Sequence, residues 1–165
     1  MLSSATEVND VIVPWHITED QGERLNVMGT AMRVKVNGSH DGPTFSIMDV
    51  EIPHGVEVPL HTHAEAEVFH IIAGELEFIQ QAPSGESEVR RAGPGEFVVI
   101  PRSSPHGFCN VSGARARALV ICEPGLQEFF QEVGRGPVTQ GPPSPDKIRR
   151  VISIAQRHGL QFFGG

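Results

Sequence analysis

Residues 55–74, GVEVPLHTHAEAEVFHIIAG, restrict this chain more than any other stretch. His61, His63 and Glu67 place two imidazoles and a carboxylate within seven residues. Val56, Val58 and Leu60 alternate with polar or turn residues, so the run into His61 reads as a strand. Side chains two apart on a strand share a face, and His61 and His63 can therefore aim at one point. A straight strand would carry Glu67 about 13 Å further along. Ala64-Glu65-Ala66 must therefore bend the chain, so that Glu67 opens a neighbouring strand, Val68 to Ile72, that stops at the Ala73-Gly74 turn. A fourth candidate, His106 in GEFVVIPRSSPHGFCN, has to arrive from a third strand.

Such a convergence needs many short strands, and composition agrees. The 165 residues suit one domain with a sizeable core, and 18 Gly with 13 Pro between short apolar runs predict a β-rich architecture. A formal charge of −7 argues against nucleic acid or an anionic membrane as partner. The first residues, MLSSATEVND, lack the basic start and apolar core of a signal peptide, and the apolar runs are too short to span a bilayer. A soluble, cytoplasmic protein is expected. In that compartment Cys109 and Cys122 read as small apolar residues rather than a disulfide.

Along the chain, VNDVIVPWH (8–16) predicts a short edge strand broken by Pro14, with Trp15 packing and His16 at the surface. Leu25 to Val36 alternates loosely, MRVKV being its clearest part, before the turn-rich NGSHDGP, where His40 lies. Phe45 to Ile52 predicts a strand whose more apolar face is Ser46, Met48, Val50 and Ile52. Further strands are expected at Glu75–Gln80, Glu88–Arg91, Phe97–Ile100, His106–Val111 and Ala116–Cys122. The continuously apolar Phe97–Ile100 is expected to be fully buried. His70, three residues past Glu67, falls on the opposite face and reads as a packing or interface residue; His54 reads as a loop residue.

The pattern then changes to helical. Leu126, Phe129, Phe130 and Val133 fall at i, i+3, i+4 and i+7, with Gly134 as the stop. After a Pro-rich connector, Ser144 as N-cap, Pro145 and Asp146 open a second helix. Its expected buried stripe is Ile148, Val151, Ile152 and Ala155; Arg157 and His158 lie in its last turn, and Gly159 ends it. The division predicted is 1–123 for the barrel with its N-terminal strands and 124–165 for a helical extension packed on it, one domain overall.

The two histidine-bearing stretches carry a resemblance. Gly55, His61, His63, Glu67 and Gly74 match every defined position of the first motif of the cupin family. Gly95, Pro101, His106 and Asn110 match its second, with Ser103 where the family usually has Gly. GELEF, AGPGEFVVIPRSSPHGFCN and EPGLQEFFQEVG further resemble the small single-domain cupins grouped with quercetin 2,3-dioxygenases. The resemblance implies an all-β cupin fold, a double-stranded β-helix or jelly-roll barrel, here followed by two α-helices. It implies that His61, His63, Glu67 and His106 bind one divalent metal, leaving two positions for substrate and water or O2. Glu65 would replace Glu67 if the bend fell differently; the family spacing selects Glu67.

Three imidazoles and a carboxylate suit Fe, Mn, Ni, Co or Zn better than Mg or Ca. The expected activity is that of a quercetin 2,3-dioxygenase-like, metal-dependent dioxygenase on a flavonol-like or other enolisable hydroxylated small molecule. Glu67 would be the catalytic base. A metal-dependent isomerase or lyase on a sugar or small acid, and a non-catalytic ligand-binding cupin, are the alternatives. No tyrosine exists to act as an acid. Strand parity offers Phe45, Ile47, Phe69, Ile71, Phe97, Val99 and Phe108 as a pocket wall. Apolar strand edges predict a homodimer, with Val8 to Trp15 taking part.

Overall fold

Among the described residues, eleven short strands pair into two antiparallel sheets. The structure is a computed structural model that describes residues 14–39, 42–136 and 143–163. In chain order the strands are β1 (Glu23–Val27), β2 (Thr30–Val36), β3 (Ser46–Ile52), β4 (Glu57–Thr62), β5 (Glu67–Ala73) and β6 (Leu76–Gln81). Then follow β7 (Ser87–Ala92), β8 (Phe97–Ile100), β9 (His106–Asn110) and β10 (Ala116–Cys122). Helices α1 (Pro124–Gly134) and α2 (Pro145–Arg157) precede a last short strand, β11 (Gln161–Phe162). One sheet has the order β1-β2-β3-β10-β5-β8 and the other β11-β4-β9-β6-β7. This is the jelly-roll architecture with C-terminal helices that the sequence predicts.

The core lies between the sheets. Met48, Val50 and Ile52 of β3, Phe69 and Ile71 of β5, Leu76 and Phe78 of β6 and Val120 of β10 are all buried there. Each strand contributes alternate residues, as period-2 patterning requires. Phe69 meets Phe78 and Phe108 edge-on, with ring centroids 5.2 and 5.4 Å away. Leu126, Phe129 and Val133 of α1, with Ile154 and Ala155 of α2, join the same core. Both cysteines are free.

Three expectations about the elements need correction. Leu25–Val36 is a hairpin, because Met28 and Gly29 both have positive φ (52° and 91°) and make a two-residue turn. Methionine in a left-handed position gives no turn signal in sequence. Phe97–Ile100 is an edge strand whose Phe97 and Val99 side chains are 61% and 64% exposed. An uninterrupted apolar run shows that both faces are apolar, not that both are covered. In α2 the buried residues are Ile154 and Ala155, while Ile148 and Ile152 are 40% and 43% exposed. Of the expected edge strand over 8–16, residues 8–13 lie outside the described residues, as does His40, and 14–16 take no regular structure.

Two residues near the second motif's histidine, Gly107 and the motif's Asn110, have structural duties. Gly107 follows His106 directly, and a Cβ there would lie 2.7 Å from the Val58 carbonyl oxygen. Only glycine lets β9 approach β4 so closely. Buried Asn110 donates to the carbonyls of Ile52 and Ala114 and accepts from Ser112, closing the turn after β9.

Candidate metal centre

The β4–β9 pairing sets His61 directly opposite His106. His63 lies one residue past the end of β4, and Glu67 opens β5 after the predicted bend. All four side chains are buried. One donor nitrogen from each of His61, His63 and His106 falls within 4.8 Å of the other two. Glu67 Oε2 lies 3.3 Å from His63 Nε2 and 3.6 Å from His106 Nε2.

The three rings are oriented alike. Nδ1 of His61, His63 and His106 lies 2.8, 2.9 and 2.8 Å from the carbonyl oxygens of Pro59, Glu65 and Ser104. A carbonyl only accepts, so each Nδ1 carries the proton and each Nε2 is left as a lone-pair donor. This backbone support fixes tautomer and ring plane, as in metal-binding histidines generally. His63 Nε2 is buried without a hydrogen-bond partner. An orphaned, lone-pair-bearing nitrogen beside two more imidazoles and a carboxylate is a site for one divalent transition metal.

Electrostatics agree. Burial, reinforced by the neighbouring His106, pushes His61 down to about 4, so it is neutral at pH 7. Burial alone would raise the Glu67 carboxyl, yet the adjoining His106 and His63 rings overcome it and hold the group at about 2. His63 moves up, because Glu67 outweighs the burial that works against its charge. The Glu67 carboxylate is thus a buried anion beside the Nε2 atoms of His63 and His106, in a place where a cation can balance its charge.

Glu65 is not part of this convergence. Its carbonyl supports His63 from the Nδ1 side, and its carboxylate packs against Gly125 at the start of α1. Of the two carboxylates, Glu67 is the one with an oxygen 3.3 and 3.6 Å from the Nε2 atoms of His63 and His106. The bend between them is braced from outside. Glu123, the residue before α1, accepts from Ala66 N at 2.7 Å and from Arg102 Nε at 2.9 Å. Ser103 has φ 59° and donates its N–H to the His63 carbonyl at 2.9 Å. The left-handed turn is therefore kept with serine where the family motif has glycine. Sequence reading missed Glu123 and Arg102, because nothing in their local pattern links residues so far apart.

Above the four side chains opens a cavity of about 700 Å³. Of the wall expected from parity, Phe69 and Phe108 line it. Phe45, Ile47, Ile71, Phe97 and Val99 do not. Val99 pairs directly with Val68, and Ile47 with Ile121, on the outer face of the six-stranded sheet. Parity tells which residues share a face, not which face is inside. The rest of the wall comes from Val27 and Met28 at the β1–β2 hairpin, Phe130 of α1, Ile148, Val151 and Ile152 of α2, and Phe162 of β11. Phe162 pairs with His61, and their ring centroids are 5.7 Å apart. His70 points to the other face as expected and stacks on Phe97 at 4.2 Å.

Residues 48–122 match the family model described as Cupin domain, a span that contains all four converging side chains. The chain carries a cupin domain. The dimethylsulfoniopropionate lyase DddQ of Ruegeria pomeroyi is 29% identical over 100 residues, 58% of this chain and 47% of that protein. The chain thus spans about half the length of the curated relative it matches. Among solved structures, oxalate decarboxylase of B. subtilis aligns with TM-score 0.57 at 19% identity, covering 65% of this chain and 28% of that one. The polyketide cyclase RemF of Streptomyces resistomycificus aligns with TM-score 0.55 at 21% identity, covering 68% and 80%. At such identities these likenesses speak for the fold.

Proposed function

We propose that His61, His63, His106 and Glu67 together hold one divalent transition metal. We propose further that this cupin is a metal-dependent dioxygenase acting on a largely apolar, enolisable, hydroxylated small molecule of flavonol-like type. The observation that carries the reading is the convergence of four donors at a largely apolar cavity. A bound ion supplies Lewis acidity and lowers the pKa of a hydroxyl presented to it. Glu67, anionic and 3.3 Å from His63 Nε2, accepts the released proton in this reading. A carboxyl held at about 2 is a charge donor first, and serves as base only towards a hydroxyl that is itself acidified. Phe69, Phe108 and Phe162 exclude water and offer ring faces to a flat substrate.

A second reading, O2-independent lyase or isomerase chemistry at the same centre, draws on the 29% identity to a lyase. It needs only proton transfer by Glu67. Metal analysis of protein purified without chelator, followed by O2 uptake with a panel of flavonols, separates the two. Stoichiometric O2 consumption supports the dioxygenase. Metal-dependent turnover of a panel member under anaerobic conditions supports the second reading.

A further inference from the structure

The apolar stripe of α2 raises the question of what it faces. Amphipathic helices bury such a stripe against the core, and here Ile154 and Ala155 do so. Ile148 and Ile152 instead stay 40% and 43% exposed, and both, with Val151 between them, line the cavity over the metal centre. Phe162, 43% exposed, lies beyond them, beside the ring of His61. These residues belong to the segment after residue 122, outside the family-matched span.

The segment is anchored as a rigid wall. Glu132 of α1 accepts from Arg157 and lies 2.7 Å from His158 Nε2. Leu160 is buried in the core, and Phe163 N donates to the Leu60 carbonyl at 2.9 Å. The charge of the lining is one-sided. Glu57 and Glu67 are its acidic members, and among the described residues that line it there is no lysine or arginine. An anionic group on the distal part of a ligand would lose its hydration with no cation to meet it. An uncharged apolar body would cover isoleucine and phenylalanine surface that is otherwise wet.

We propose that Ile148, Ile152 and Phe162 form a specificity wall that selects substrates with an uncharged, apolar distal body and rejects those with a distal carboxylate or phosphate. This rests on the proposed function for the oxygen-bearing head of the ligand, not for the selection of its body.

The test uses two probes with the same head and body. Methyl 6-hydroxy-2-naphthoate and 6-hydroxy-2-naphthoate differ only in a distal ester or carboxylate. Binding of each to the full chain is measured by calorimetry, with and without added Mn²⁺. The ester is expected to bind at least about tenfold more tightly than the carboxylate in both states. Ile152→Asp and Ile148→Asp should weaken ester binding about tenfold or more, with Ile152→Leu close to wild type. Metal content should stay unchanged in all three. Equal or tighter binding of the carboxylate overturns the wall, as does ester binding indifferent to both Asp variants in folded protein. Failure of the protein to take up metal while the ester still binds selectively overturns the proposed function and leaves the wall standing.

Discussion

His63 is the residue on which the centre depends most directly, because its Nε2 is buried without a partner and its Nδ1 is fixed by a backbone carbonyl. His63→Ala is expected to lose most bound metal while the circular dichroism spectrum stays that of the wild type; full metal stoichiometry in the variant would remove His63 from the ligand set. Glu67→Gln keeps the shape and one oxygen but removes charge and basicity. It should retain some metal and lose turnover by about a hundredfold or more, unrescued by excess metal and partly relieved at high pH, where the substrate is already ionised. A near-wild-type rate at neutral pH would leave Glu67 a ligand only. Ser103 offers a test of backbone strain. At φ 59° a serine pays for a left-handed conformation that glycine adopts freely, so Ser103→Gly should stabilise the fold by about 0.5–1 kcal/mol in urea titration. The convergence of the three histidines and Glu67 was legible because strand period and motif spacing act locally. The Glu123–Arg102 brace was not, since it joins residues 21 apart whose proximity exists only after the sheets close.

Among the elements, strands were readable where one face is apolar and the other mostly polar, as in β3, and turns where glycine or proline marks them. The β1–β2 turn was hidden because Met28 occupies a position that usually takes Gly or Asn. The α2 stripe was readable as apolar but not as cavity-lining, because hydrophobic periodicity does not distinguish a packed neighbour from a ligand. The β3–β10 ladder carries a test of its electrostatics. Arg117 grips both oxygens of Asp49, at 2.9 and 2.5 Å, diagonally across the ladder in which Arg117 pairs with Glu51 and Asp49 with Leu119, and this guanidinium holds the Asp49 carboxyl below its ordinary 3.8. A folded pKa below the unfolded one gives stability that is present above the unfolded value and lost as pH falls through the folded value. Asp49→Asn should therefore cost about 1 kcal/mol at pH 7, a figure held down by the 44% exposure of the Arg117 side chain. The gap between variant and wild type should be flat above about pH 5 and close as pH falls below 3.8. A gap that persists unchanged at the lowest pH where the protein stays folded would assign the loss to packing instead.

At the scale of the whole molecule, the outer face of the six-stranded sheet sets the remaining problem. Ile47, Ile121, Val68 and Val99 stand directly opposite one another across β3, β10, β5 and β8, forming one apolar row. A parallel row runs from Leu119 through His70 to Phe97, and Ile72 adds a 39% exposed side chain nearby. No described element covers these rows, and β8 ends the sheet with a free edge. A contiguous apolar patch beside an open strand edge marks an association surface. A second copy of this chain is the expected occupant, because a two-fold axis would set the same rows against each other and need no other partner. The expected outcome is a homodimer by light scattering at micromolar concentration. Val99→Lys puts a charge at the centre of that surface while leaving the core side of β8 unchanged, so it should give a folded monomer. The same change should leave metal content intact, since the centre lies on the inner face of the sheet. A wild-type protein with the mass of one chain would rule the dimer out. A dimer that survives Val99→Lys would move the interface elsewhere on the molecule.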